Sequence, residues 1–233
     1  MPDAVLITRP EPGAAETARR IAALGFEPLI APALTIEISP VRLPSADAVA
    51  AVLATSGNAL AACWPAFQNR RLYTVGDATA ERARATGFTD VISAAGDAAA
   101  LASLVARDRQ TRDETLLLVS GAGHGMALAA ALRASGFRVV RRVVYRSLPA
   151  RDLPAAATHA LTAGRVRAAL FFSAETAQSF VRLVSRAGLT ETMRSVDALA
   201  IGAAAGMALQ VLPWRRIAVA VTPTQDAMLA LLR

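Results

Sequence analysis

The chain has 233 residues, 54% hydrophobic and 18% charged, which gives enough apolar matter for one large or two ordinary domains and excludes a disordered chain. All 25 of its cations are arginine, set against 18 carboxylates, and the net charge of +7 favours an anionic ligand. The arginines fall in ones and twos, as at Arg19–Arg20 and Arg215–Arg216, with no basic block and few aromatics for base stacking, so no nucleic-acid partner is expected.

In chain order, AVLIT (4–8) reads as a strand bounded by the turn RPEPG. The segment AAETARRIAALGF then places Ala14, Ala18, Ile21 and Ala22 on one helical face, with Gly25 as a left-handed stop. EPLIAPALTIEI is expected to return as a strand, and IEISPVRLPSAD (36–47) has the proline-rich, polar composition of a connector. AVAAVLATS (48–56) reads as helix then strand. Cys63, in ALAACWPAF, reads as a small buried hydrophobe, and Trp64 as a packing residue. LYTVG (72–76) is a strand, DATAERARATG a helix capped by Asp77 and closed by Gly87, and DVIS a short strand. After 116 come a strand, the glycine-rich turn SGAGHGM and a helix ending at Gly136-Phe137. A second connector, YRSLPARDLPAAA (145–157), precedes the last strand–helix units. Alternation of this length points to parallel sheets with helices on both faces.

The opening MPDAVLITRPEPG lacks the basic region and long apolar core of a secretory signal, and no apolar run is long enough to cross a bilayer. Cys63 alone excludes an internal disulfide, and with His124 and His159 it makes no zinc site at ligand spacing. A cytoplasmic, metal-free protein with no membrane partner is expected.

Three blocks recur in order. Residues 116–147 parallel 4–37, each a strand, a glycine-bearing turn, a helix ending in Gly-Phe and a β-rich return; residues 168–181 parallel 51–64; and the strand–glycine corner at Gly202 parallels that at Gly76. Two similar α/β lobes follow, read as an internal duplication. If both connectors are linker strands, the first lobe is discontinuous, 1–37 plus 149–233, and the second is 38–148.

Taken together, VLITRPEPGAAETARRIAALGFEPLIAPALTIE, LATSGNAL, LYTVGDATAERARATGF, VVYRS, ALFFSAETAQSF, ALAIGAAAGMAL and the terminal TPTQDAMLALLR resemble the uroporphyrinogen-III synthase family over nearly the whole chain. The resemblance implies two α/β lobes joined by a two-stranded linker. It also implies cofactor-free chemistry on hydroxymethylbilane, a linear tetrapyrrole bearing eight carboxylates. The terminal hydroxyl leaves as water, ring D is inverted through a spiro intermediate, and the type III macrocycle closes. A monomer is expected, with transient hand-over from hydroxymethylbilane synthase. The rival is a non-catalytic relative that holds an anionic small molecule in the cleft between the lobes.

On this resemblance Tyr145, in RVVYRSLP, falls where the family's linker tyrosine assists departure of the hydroxyl, against the plain reading of a packed strand tyrosine. Thr79 matches the threonine of a Val-Gly-x-x-Thr corner, where its hydroxyl binds substrate; the bland alternative is an ordinary first-turn residue. Ser56 and Ser173 occupy equivalent corners, as helix caps or substrate contacts. Gly76, Gly202 and Ala203 offer backbone N–H groups to carboxylates at helix starts. Arg9, in ITRP, is a further carboxylate partner or else a loop brace. His124 reads as an exposed loop residue, and Trp214 packs. Two departures from the family pattern stand out. Ala203-Ala204-Ala205 replaces a hydroxyl-bearing Pro-Thr-Thr, and the 120–126 loop lacks an arginine.

Overall fold

The structure, a computed structural model, describes residues 3–63, 65–109, 111 and 113–232. In chain order its elements are β1 (Ala4–Ile7), α1 (Gly13–Ala23), β2 (Glu27–Ile30), β3 (Leu34–Ile38), β4 (Ala51–Ala54), β5 (Arg71–Thr74), α2 (Asp77–Ala85), β6 (Val91–Ser93), α3 (Ala98–Asp108), β7 (Thr115–Gly121), α4 (Met126–Ala134), β8 (Arg138–Pro149), α5 (Ala155–Thr162), β9 (Val166–Phe171), α6 (Ala174–Arg186), β10 (Asp197–Ala200), α7 (Ala203–Leu209), β11 (Arg216–Val219) and α8 (Gln225–Ala230). Two compact units result, one running through Thr35 and again from Leu148, the other Ile36–Ser147. Trp64 lies outside the described residues.

The first unit is a sheet in the order β11-β10-β9-β1-β2, parallel throughout. Its central strands are apolar along their length because helices cover both faces. Successive residues of β1 go to opposite sides, Leu6 to a core with Phe171 and Phe180, Val5 and Ile7 to one with Ile21 and Met228. Phe171, Phe180 and Trp214 meet ring to ring, and the Trp214 indole N–H donates to the Leu209 carbonyl at 2.8 Å. On α1 the buried set is Gly13, Ala14, Thr17 and Ile21, whereas Ala22, expected on this face, is exposed. Thr17 takes its place by donating its hydroxyl to the Gly13 carbonyl at 2.9 Å, which lets a polar residue face the sheet.

The second unit has the order β3-β8-β7-β4-β5-β6. Strands β4 to β8 run parallel. Its β4 alternates in the same way, Val52 and Ala54 facing one core and Ala51 and Leu53 the other. EPLIAPALTIEI, expected as one strand, is two in different sheets. Pro32 has no N–H for the ladder, and the chain turns there between Ala31 and Ala33, which bond to Ile7 and Thr8. Along β3 and β8 the bonds Ala150 N–H to Ala33 and Ser39 N–H to Val144 make the pair antiparallel, and the chain passes between units within these two strands. The helix expected within 48–56 is only a 3-10 turn at Ala46–Ala48.

Aligning β7 with β1, β8 with β2, β4 with β9 and β5 with β10 gives both sheets one order, β2-β1-β9-β10-β11 against β8-β7-β4-β5-β6. In each, the two central neighbours send their connections to opposite faces. After β1 the helix α1 packs on one side, and after β9 the helix α6 packs on the other. After β7 the helix α4 and after β4 the turn Gly57–Ala62 separate likewise. Such a split opens a crevice at the carboxyl ends of the strands. Among the described residues no helix is long and apolar enough to cross a membrane.

Candidate active site

In the second unit that crevice is a cavity of about 480 Å³. Thr55 and Ser56 enter it from the end of β4, Val75 from β5, Gly96–Ala98 from the start of α3, His124 and Gly125 from the loop after β7, and Tyr145 from β8. The corners are built locally. Ser56 is extended and its hydroxyl accepts the Asn58 N–H at 3.3 Å, capping the turn that follows. Asp97 caps α3 by accepting the Ala100 N–H at 2.9 Å. The loop after β7 depends on Gly123 and Gly125 at positive φ, +78° and +81°, where a side chain would be strained.

Tyr145 is 6% exposed, its ring laid against Gly121. A Cβ added to Gly121 would stand 2.7 to 2.9 Å from the ring and its hydroxyl, so the glycine makes the space that the phenol occupies. The phenol is hydrogen-bonded to none of the described residues and is not among their buried unsatisfied atoms. It lines the cavity with an open donor. His124, expected as an exposed loop residue, is exposed and also lines the cavity.

Gly76 and Thr79 occupy the adjoining corner after β5 and do not line the cavity. The α2 cap is Gly76, not Asp77. Gly76 is extended and its carbonyl accepts the Ala80 N–H at 3.2 Å, which moves Asp77 into the first turn, where its charge meets the positive helix end. Thr74, a residue that sequence reasoning passed over, braces the corner by donating its buried hydroxyl to the same carbonyl at 3.2 Å. Arg82, on α2, lies against Gly57 beside Ser56.

In the first unit Arg9, Ser173, Gly202 and Ala203 follow the adjacent strands β1, β9 and β10. The Ser173 hydroxyl accepts the Thr176 N–H at 3.1 Å. The half-buried Arg9 stacks 4.3 Å above the Phe172 ring, donates to Gln225 Oε1 at 3.3 Å and fills the space left by Gly13, so it ties three loops together. Ala203 is exposed at the start of α7, which has no capping side chain.

Gly76 and Gly202 share a telling property. Neither has positive φ, and a Cβ on either would meet nothing within 4 Å. Backbone conformation and packing therefore both tolerate alanine there. Cys63 offers no alternative chemistry, since burial pushes its thiol up to about 12. Asp97, Thr55 and Gly125 escaped sequence reasoning; an aspartate before the alanine run at 98–100 was the legible signal for a helix start.

No curated protein matches the chain. Among solved structures it resembles uroporphyrinogen-III synthetase from Helicobacter pylori 26695, with TM-score 0.64 and 18% identity over 100% of this chain and 98% of that one. It also resembles a mutant uroporphyrinogen III synthase from the extremely thermophilic bacterium Thermus thermophilus, with TM-score 0.54 and 22% identity over 99% and 97% of the two chains. At these identities the likeness shows the fold. The family model for uroporphyrinogen-III synthase HemD matches residues 15–230, nearly the whole length, and the chain therefore belongs to the uroporphyrinogen-III synthase family.

Proposed function

We propose that this member of the family cyclises hydroxymethylbilane to uroporphyrinogen III, inverting ring D and releasing water. The observation that supports it most is the cavity at the carboxyl ends of β4 to β8, which brings Ser56 and Tyr145 into one lining. The open tetrapyrrole closes unassisted to the uninverted isomer, so the protein's task is geometric, and orientation in a site is a large rate term. The Tyr145 hydroxyl hydrogen-bonds or gives a proton to the departing oxygen. The C–O bond breaks, water leaves, and the terminal pyrrole releases its N–H proton, to the phenolate or to solvent, as it becomes an azafulvene. Ser56, Thr79, Ser173 and Arg9, with N–H groups at Gly76, Gly202 and Ala203, hold carboxylates so that ring D joins through its spiro intermediate. At the Ala203–Ala205 corner the missing hydroxyl leaves recognition to backbone N–H groups, which the open Gly202 exposes.

We further propose a cytoplasmic monomer that takes its substrate directly from hydroxymethylbilane synthase, because a short transfer leaves less time for unassisted closure. Coupling the purified protein to that synthase, oxidising the products and separating the isomers tests the reading. Mainly type III is expected. Type I alone rejects it and leaves the rival, a non-catalytic anion binder, for which the Ala203–Ala205 run is the favouring feature.

A further inference from the structure

The cavity lining includes one carboxylate and one imidazole, those of Asp97 and His124. Asp97 is already committed, because its carboxylate accepts the Ala100 N–H at the start of α3. His124 differs. All its backbone polar groups are engaged. The N–H donates to the Gly121 carbonyl at 3.2 Å. The carbonyl accepts the Ser120 hydroxyl at 3.0 Å and two N–H groups of Arg141, at 3.0 and 2.8 Å. Its imidazole is exposed, and none of the described residues hydrogen-bonds it. A loop tip of glycines and alanine would otherwise be free to sample many conformations. Here a fork of donors from the neighbouring strand β8 fixes it at one point, the peptide that carries the imidazole. Tyr145 lies on the same strand, four residues beyond Arg141, so one strand places both the phenol and the clamp.

Resting on the function proposed above, we infer that His124 is a substrate-binding residue, its imidazole N–H meeting a carboxylate of the bilane at the second unit's cavity, and that Arg141 is its positioning residue. A polyanion approaching this lining meets Asp97 as a repulsive charge, and His124 adds a side-chain donor, beside the Tyr145 hydroxyl, that counters it. The clamp limits the loop freedom lost on binding, so the contact gains affinity through preorganisation.

Steady-state kinetics of type III formation test this. For His124→Ala, KM should rise roughly five- to tenfold with kcat within about twofold, the scale of one exposed charge-assisted hydrogen bond. His124→Glu should raise KM beyond the alanine variant, and His124→Arg should stay near wild type. Arg141→Leu should raise KM by a similar factor, and in the double variant the two effects should fall short of their product, because both act through one imidazole. Equal KM for wild type and the alanine and glutamate variants overturns the role of His124, and strictly multiplicative effects overturn that of Arg141. Wild type forming only type I overturns the proposed function instead.

Discussion

At single positions, the glycines separate space that another side chain fills from space that no protein atom fills. Gly121 belongs to the first kind, since Tyr145 fills the volume a Cβ would take. Gly121→Ala is expected to push the phenol out of place and to destabilise the second unit by about 1–3 kcal/mol, the usual range for overpacking. Gly76 belongs to the second kind. Gly76→Ala should leave the melting temperature unchanged within error, because the added methyl meets no protein atom, while raising KM, as the proposed carboxylate contact at this corner requires. A loss of stability with unchanged KM would show that the corner serves folding alone. Tyr145→Phe completes the set. Without its hydroxyl the ring still packs, so kcat should fall by about ten- to a hundredfold at constant stability, within the range of one general-acid contact. An unchanged kcat removes the phenol from the mechanism.

At the level of elements, a corner that caps a helix and one that binds a carboxylate present the same groups, and Ser173 lets the two roles be told apart. Its hydroxyl accepts from Thr176 at the start of α6, a helix of 13 residues. Ser173→Ala should cost about 1 kcal/mol of stability. Ser173→Asp keeps a capping acceptor and so preserves stability, but it places a negative charge against the bilane carboxylates. Activity retained in the aspartate variant would confine Ser173 to capping; activity lost at full stability would assign it to substrate as well. Much at this scale could be read from the chain. Apolar runs alternating with helical spacing announce parallel sheets, and the repeated blocks pair the strands whose positions in the two sheets coincide. The split at Pro32 could not be read by hydrophobic pattern, because both flanks are strand-like and only the ladder distinguishes them. The cavity was equally hidden. Ser56, Asp97, His124 and Tyr145 are remote in sequence, and strand order alone decides that their loops converge.

At the scale of the whole molecule, each unit carries a carboxylate knotted to arginines at the amino ends of its strands, and these knots set the response to acid. Asp197, buried at the start of β10, accepts two N–H groups of Arg215 at 2.7 Å each and one of Arg216 at 2.9 Å. The Arg215 hydrogen bonds, with Arg216, hold its carboxyl below the usual range despite the opposing effect of burial. In the second unit, Asp108 is lowered chiefly by the hydrogen bond from Tyr73, with Arg71 assisting. A carboxyl whose folded pKa is depressed contributes stability that is present above its unfolded pKa, about 3.9 for aspartate, and lost as pH falls through the folded value. The arginines stay charged throughout, so only the carboxylates titrate here. Asp197→Asn should therefore cost about 1–3 kcal/mol at pH 7, the worth of charged hydrogen bonds in a partly exposed cluster. That deficit should begin to shrink below about pH 4, where the unfolded carboxyl takes up a proton, and close as pH falls through the lower folded value. Thermal unfolding of both proteins between pH 3 and 7 measures it, with Asp108→Asn as the matching probe in the second unit. A deficit that does not change with pH would mean that Asp197 stabilises β10 by its shape rather than by its charge.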